Sequence, residues 1–192
     1  MKFKRIICLI GESGSGKSTI ASFLHKYGYQ NLSTFTTRSR RYSNEEGHIF
    51  IDVNDGDLVQ LPLKNENIAY KAYFSKNWYW AFKSQLENND KVVIAFNPMG
   101  VQSLKENLHN ECMIKTIYLR TTVEERIRRM MERMDGWNNS IEHMKELNQI
   151  RINNEISEYR SFECDFVLDT SIPLPDSISL LCAYLKKENM IQ

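Results

Sequence analysis

The segment from Ile6 to Ser18 narrows the choice of fold more than any other part of the chain. Ile6, Ile7, Cys8, Leu9 and Ile10 form an unbroken apolar run, the pattern of a strand covered on both faces. It ends at Gly11, and Gly11-Glu12-Ser13-Gly14-Ser15-Gly16-Lys17-Ser18 fits the pattern GxxxxGK[ST] at every position. A helix-like stretch, Ser18–Tyr27, follows. Glycines in such a loop let backbone amides approach phosphate oxygens without a Cβ in the way. The helix start aims its positive dipole end at the same anion. Lys17 adds a full charge at the β- and γ-phosphates, and the Ser18 hydroxyl can ligate magnesium. A glycine-rich stretch alone is an ordinary turn; the buried strand before it and the helix after it make this one specific. Gly11, Glu12, Ser13, Gly14, Ser15, Gly16, Lys17, Ser18 and Thr19 are therefore the expected ATP-binding residues, with Mg2+ at Ser18.

Apolar runs suited to further central strands are Lys91–Phe96, Cys112–Leu119 and Asp165–Leu168. Pro98–Leu108 and Val123–Met134 follow the first two as helix candidates, and Ser177–Lys187 reads as a closing helix. Strands alternating with helices predict an α/β fold with a parallel central sheet flanked by helices. The stretch Ser33–Phe82 breaks that rhythm. Its alternation of polar and aromatic residues, as in His48–Ile51 and Tyr70–Phe74, predicts a small inserted subdomain of antiparallel strands. On the helix from Val123, Thr122 and Glu125 form a capping box. Val123, Ile127, Met130, Met131 and Met134 share one face, expected to be the packed one. Arg126, Arg129 and Arg133 share another, which is either a solvated basic side or one turned toward an anion.

With 192 residues, 42% hydrophobic and 26% charged, the chain has ordinary globular usage and can bury a core without crosslinks. A net charge of +1 gives no general case for nucleic-acid binding. Cys8, Cys112, Cys164 and Cys182 lie far apart, with no CxxC pair, and read as reduced thiols of a cytoplasmic protein. The scattered histidines give no metal pattern. No apolar run is long enough to span a membrane, and no signal-peptide pattern is present.

Beyond the loop, Thr34-Phe35-Thr36-Thr37-Arg38-Ser39-Arg40-Arg41, followed by Gly47-His48-Ile49-Phe50, resembles the TTR segment of the guanylate kinase family of nucleoside monophosphate kinases. Phe74-Ser75-Lys76-Asn77-Trp78-Tyr79-Trp80 is similar to that family's F-S-G-N-Y-Y-G segment, and Asp165–Asp169 to its last strand. The resemblance runs in order over roughly residues 4–187. It implies a P-loop kinase fold with one guanylate kinase-like domain over 1–192: a core of 1–32, 83–133 and 152–192, a mixed-sheet acceptor-binding subdomain of 33–82, and a helical lid of about 134–151. It implies Lys17, Arg133 and Arg151 as the catalytic cations, the last two closing over the transferring group. It also implies Thr34, Arg38, Arg41, Phe50, Tyr70 and Tyr79 around an acceptor monophosphate, with ATP and Mg2+ as the other reactants. Guanidinium forks suit the phosphate task because they bind it in a bidentate way.

Several positions depart from the family pattern. The base-reading glutamate aligns with Ala69 or Tyr70, and Glu66 lies three or four residues away. Phe50 replaces a tyrosine, Arg40 a proline and Trp80 a glycine. Ala95 and Asn97 stand where carboxylates beside magnesium are expected. The phosphate-handling residues are kept and the base-reading one is lost. Three readings follow: a guanylate kinase-like enzyme, a kinase for another nucleotide or nucleotide-like acceptor, or a binding module that has lost catalysis and recognises a partner protein. The complete loop favours a kinase, since a module that does not use ATP has no physical need for it.

Overall fold

The structure, a computed structural model, describes residues 4–40, 45, 47–52, 67–74, 76–108, 111–132, 159 and 162–192. Its centre is β1 (Lys4–Ile10), which pairs in parallel with β7 (Lys91–Phe96) on one side and β8 (Cys112–Arg120) on the other. β2 (Gln30–Asn31) extends the sheet beyond β7, and β9 (Phe166–Asp169) extends it beyond β8. The result is a five-stranded, all-parallel sheet in the order β2-β7-β1-β8-β9.

The apolar run of β1 divides between two cores, because successive side chains of a strand point to opposite faces. Ile6, Cys8 and Ile10 pack with Val92, Ile94 and Phe96 of β7, and with Val101 and Leu104 of α3 (Pro98–Asn107). Ile7 and Leu9 face α1 (Lys17–Leu24) and α5 (Leu174–Lys187), meeting Ile20, Leu24, Leu181 and Leu185. Helices on both faces explain why the run is continuous rather than alternating.

The stretch from Thr34 to Phe82 forms a second sheet, ordered β4-β3-β6-β5. β3 is Thr34–Thr36, β4 His48–Phe50, β5 Ile68–Phe74 and β6 Asn77–Phe82. It is the mixed sheet expected of this subdomain: β6 runs antiparallel to β3 and β5, and β3 and β4 pair in parallel, which the polar–aromatic alternation alone does not indicate. The connection over 37–47 is long enough for the return a parallel pair demands, whereas a two-residue turn would impose antiparallel pairing. Helix α3 docks on β5. Ser103 Oγ accepts the Lys71 amide at 3.0 Å, and Asn107 Nδ2 donates to the Ala69 carbonyl at 3.3 Å.

Two short elements carried no sequence signal: β2, both of whose residues are exposed, and α2 (Ser84–Glu87). Helix α4 (Val123–Glu132) begins where expected but rotates differently. Its buried residues are Arg126 and Met130, while Val123 is 36% exposed. Its packed face is turned toward the Gly11–Ser18 loop, where polar carbonyls need donors, so an arginine takes the inner position. The capping box is half formed. Thr122 Oγ1 accepts the Glu125 amide at 3.2 Å, but the Glu125 carboxylate serves Arg128 and Arg129. The lid expected near 134–151, with Met134 and Arg133, lies outside the described residues. Among the described residues, no helix is long and apolar enough to cross a membrane.

The two-sided burial of β1 sets an expectation for unfolding in urea. Ile7→Ala, fully buried between β1 neighbours and α1, should cost about 2–5 kcal/mol. Val167→Ala on β9, 44% exposed, should stay within about 0.5 kcal/mol. Comparable losses for the two variants would contradict this layering.

Candidate active site

The loop from Gly11 to Gly16 crosses the carboxyl end of the parallel sheet, between β1 and α1. Two of its glycines are fixed by space as well as by φ. A Cβ on Gly14 (φ 83°) would lie 2.7 Å from the Arg126 carbonyl oxygen, and one on Gly11 (φ 148°) would lie 2.8 Å from the Leu119 carbonyl oxygen. The Ser15 amide donates to the Glu12 carbonyl at 3.1 Å, closing the turn. Gly16 precedes α1 without a side-chain cap, so the helix start presents amides and dipole to whatever sits before it. Lys17 Nζ curls over the loop and donates to the carbonyls of Gly11 (2.5 Å) and Glu12 (2.9 Å). Ser18 and Thr19 are exposed on the first turn of α1. This is a concave rim of amides with an ammonium at its edge, a geometry suited to a polyphosphate.

Side chains from β8, α4 and the segment after β9 hold the loop from below. Arg126 is 1% exposed, and its Nε donates to the Ser13 carbonyl at 2.9 Å. Its guanidinium lies 3.9 Å from the Glu12 carboxylate, which also accepts from the Tyr118 hydroxyl at 3.2 and 3.3 Å. Burial first, and then the Glu12 charge, push the Tyr118 phenol up to about 12, so it stays a donor. Thr170 Oγ1 reaches the Ser15 carbonyl at 2.9 Å. Arg129 donates to the Thr170 carbonyl at 2.6 Å and to the Gly14 carbonyl at 3.4 Å. Glu125, held down at about 2 by its hydrogen bonds to Arg128 and Arg129, remains ionised and keeps both guanidiniums in place.

Beside the loop opens a cleft of about 390 Å³ lined by Gly16, Thr19, Ile20, Arg129, Thr170 and Leu174, among others. Its walls combine apolar faces with Arg128 and Arg129 of α4.

The second sheet gathers the other candidates. The Arg38 guanidinium forms a two-pronged bond with Glu45, NH2 to Oε1 at 2.8 Å and NH1 to Oε2 at 3.1 Å. Arg38 and Arg40 lie over the Phe50 ring, 5.2 and 4.2 Å from its centroid. Thr34 Oγ1 and His48 Nδ1 are 2.7 Å apart, and the His48 ring sits edge-on to Phe50 and Tyr79, each at 5.9 Å. Thr34, Arg38, Phe50 and Tyr79 are thus brought to one region. Tyr70 is not exposed there: it is 2% exposed and packs edge-on against Phe96 at 4.4 Å. Arg41, Arg133, Arg151 and Glu66 lie outside the described residues.

Residues 3–187 match the guanylate kinase family. The chain belongs to the guanylate kinase family. No curated protein matches its sequence. Among solved structures, a guanylate kinase from Anaplasma phagocytophilum superposes with a TM-score of 0.63 at 18% identity, covering 98% of this chain and 88% of that one; at that identity it speaks for the fold. TT1252 from Thermus thermophilus is also similar, with a TM-score of 0.46 at 18% identity over 97% of this chain and 98% of its own. Ala95 is exposed, and the Asn97 side chain caps α3, accepting the Gly100 amide at 2.8 Å. Asn97 therefore serves the helix start.

Sequence reasoning gives no sign of Tyr118, Thr170 and Glu45, names Glu125 only as a cap and His48 only as a strand residue, and leaves the role of Arg126 and Arg129 open. The three-residue spacing of Arg126 and Arg129 was the one available sign. It could not show that the loop lay opposite, because that depends on how α4 packs. The tight seat of Gly14 yields a direct expectation. Gly14→Ala combines a left-handed φ with a 2.7 Å clash against Arg126 backbone, so it should cost about 1–3 kcal/mol and weaken ATP binding. Thermal melting with and without ATP checks both effects; an unchanged melt and an unchanged ATP shift would contradict the seat described.

Proposed function

We propose that this chain transfers the terminal phosphoryl group of ATP to a nucleoside monophosphate. The observation that carries the reading is the complete Gly11–Ser18 loop, held open around an ammonium and the uncapped start of α1, in a member of the guanylate kinase family. ATP lays its phosphates along the loop amides and Lys17, and its base enters the cleft beside Ile20, Ile172 and Leu174. Among the described residues no three His, Cys, Asp or Glu side chains are grouped to hold a metal. This suits magnesium, which commonly takes one or two protein ligands and the substrate phosphates. Ser18 is the protein ligand assigned to it, and the ion would neutralise charge on the donor phosphates.

The acceptor's phosphate is assigned to Arg38 and Arg41, with Thr34, Phe50 and Tyr79 around it. The two-pronged Arg38–Glu45 pair supports this, because the fork already takes two anionic oxygens in the geometry a phosphate presents. In the transfer, an acceptor phosphate oxygen forms a bond to the γ-phosphorus as the bond from that phosphorus to the β,γ-bridging oxygen breaks, releasing ADP. The attacking oxygen is already anionic, so no general base is required. Catalysis is then positioning and charge stabilisation by Lys17, Arg133 and Arg151.

One observation favours an acceptor other than GMP. A guanine site needs a group to accept its N1–H and N2–H protons, and Ala69 is a fully buried residue without one, while Tyr70 faces the core. Unpaired donors of this kind cost about 1–3 kcal/mol each. The decisive experiment is a coupled ADP-release assay across ribo- and deoxynucleoside monophosphates, with Lys17→Ala as control. Turnover should fall about 100-fold or more in the control, and discrimination in favour of GMP should be weak or absent. A strong guanine preference that survives Glu66→Gln would refute the specificity reading, and no turnover of any monophosphate would refute the activity.

Arg38→Ala should weaken monophosphate binding about 10- to 100-fold, the range for a lost charge-assisted pair of bonds, while ATP binding changes little. Separate titrations of the two ligands test this. Equal weakening of both would assign Arg38 to structure.

A further inference from the structure

Arg126 presents a cost that the fold does not require. A guanidinium at 1% exposure is expensive to bury, and an apolar side chain of similar volume would fill such a position at no electrostatic penalty. Two contacts of its side chain go to the loop. Nε donates to the Ser13 carbonyl at 2.9 Å, and the guanidinium faces the Glu12 carboxylate at 3.9 Å. Its own backbone carbonyl abuts Gly14. Glu12 is the partner that makes the burial tolerable, and Tyr118 fixes its other side by donating to the same carboxylate. Glu12, Ser13 and Gly14 are consecutive residues of the loop, so Arg126 meets three successive positions, through its side chain at the first two and its backbone at the third.

We propose that Arg126 is a positioning residue of the phosphate loop: matched to Glu12, it ties the seating of α4 to the orientation of the loop amides and so sets affinity for the donor nucleotide. The inference rests on the reading of that loop as the ATP site. The pairing has a specific consequence. Without Arg126, the largely buried Glu12 carboxylate loses its counter-charge beneath the loop that would hold the donor phosphates, and its negative charge then opposes their binding through the loop. If residue 12 is neutral, that part of the penalty has no source. The effect of removing Arg126 therefore depends on Glu12, which a purely space-filling role would not produce.

The test is a double-mutant cycle on the full chain, reading the dissociation constant for ATP with magnesium by calorimetry and the thermal midpoint of each protein. Arg126→Met should weaken ATP about tenfold or more in the native background. In the Glu12→Gln background the same substitution should cost no more than about a third of that factor. Arg126→Lys, which keeps the charge but loses the Nε bond to Ser13, guards against a methionine variant that does not fold; its affinity should be reduced, and equality with the native protein would overturn the proposal. Equal penalties in both backgrounds, or none in a folded methionine variant, would also overturn it. If the native chain itself binds no ATP, the reading of the loop fails and this inference falls with it, an outcome distinct from native binding with no coupling to Glu12.

Discussion

The close approach of α4 to the glycine-rich loop governs the geometry of the whole site. The loop is held partly from within, by Lys17 Nζ on the Gly11 and Glu12 carbonyls and by the Ser15 amide on the Glu12 carbonyl. The rest of the restraint comes from outside. Gly14 lies directly against the Arg126 carbonyl, the Ser13 and Ser15 carbonyls are bonded by Arg126 and Thr170, and the Gly14 carbonyl is met by Arg129. Tying the carbonyls from below leaves the amides free to point the other way, which is the side an anion would approach. The same packing removes room for any side chain at Gly14, so the glycine is demanded by helix packing as much as by φ.

That clamp depends in turn on the parallel sheet. β1 ends in the loop, β8 ends beside it in the register Ile10↔Tyr118, and β9 ends next to β8 in the register Arg120↔Asp169. Because all three run the same way, their carboxyl ends deliver Glu12, Tyr118 and Thr170 to one edge. An antiparallel neighbour would have carried one of them to the opposite edge, tens of ångströms of strand away in path if not in space. The core on either side of β1 keeps this edge rigid.

Much of this was legible in the chain because it rests on local patterns. The apolar run before Gly11, the GxxxxGKS spacing and the strand–helix alternation each depend on a few neighbouring residues, and the central sheet and its main helices follow from them. What escaped depends on packing between distant segments. The face of α4 was misjudged because Val123, Ile127 and Met130 have the helical spacing of a core stripe, yet the partner opposite is a row of carbonyls that selects Arg126. The parallel pairing of β3 with β4 inside the mixed sheet is not legible locally, because alternation reports a half-buried strand but not its direction. Tyr70 lies in the segment aligned with the acceptor site, and its ring contact with Phe96 is not legible from that alignment. Asn97 was read as a lost carboxylate, and its use as a helix cap appears only once α3 is seen to start there.

The second sheet poses a different electrostatic problem from the loop. Arg38 and Arg40 carry like charges close to one another, and both lie over the face of Phe50. The ring's negative face attracts each guanidinium, and the two-pronged Glu45 pair offsets the Arg38 charge in a partly buried setting. A tyrosine at position 50 would add a hydroxyl there, but it is the aromatic face, kept by phenylalanine, that holds the guanidiniums over the ring. The replacement therefore removes one donor and leaves the cationic platform intact. Under the proposed reading, a phosphate arriving at this platform competes with Glu45 for the Arg38 fork, and the higher charge of a phosphate dianion favours the exchange. Under the same reading, base recognition and anion recognition are separable, because Ala69 is buried on β5 and Arg38 lies just beyond β3.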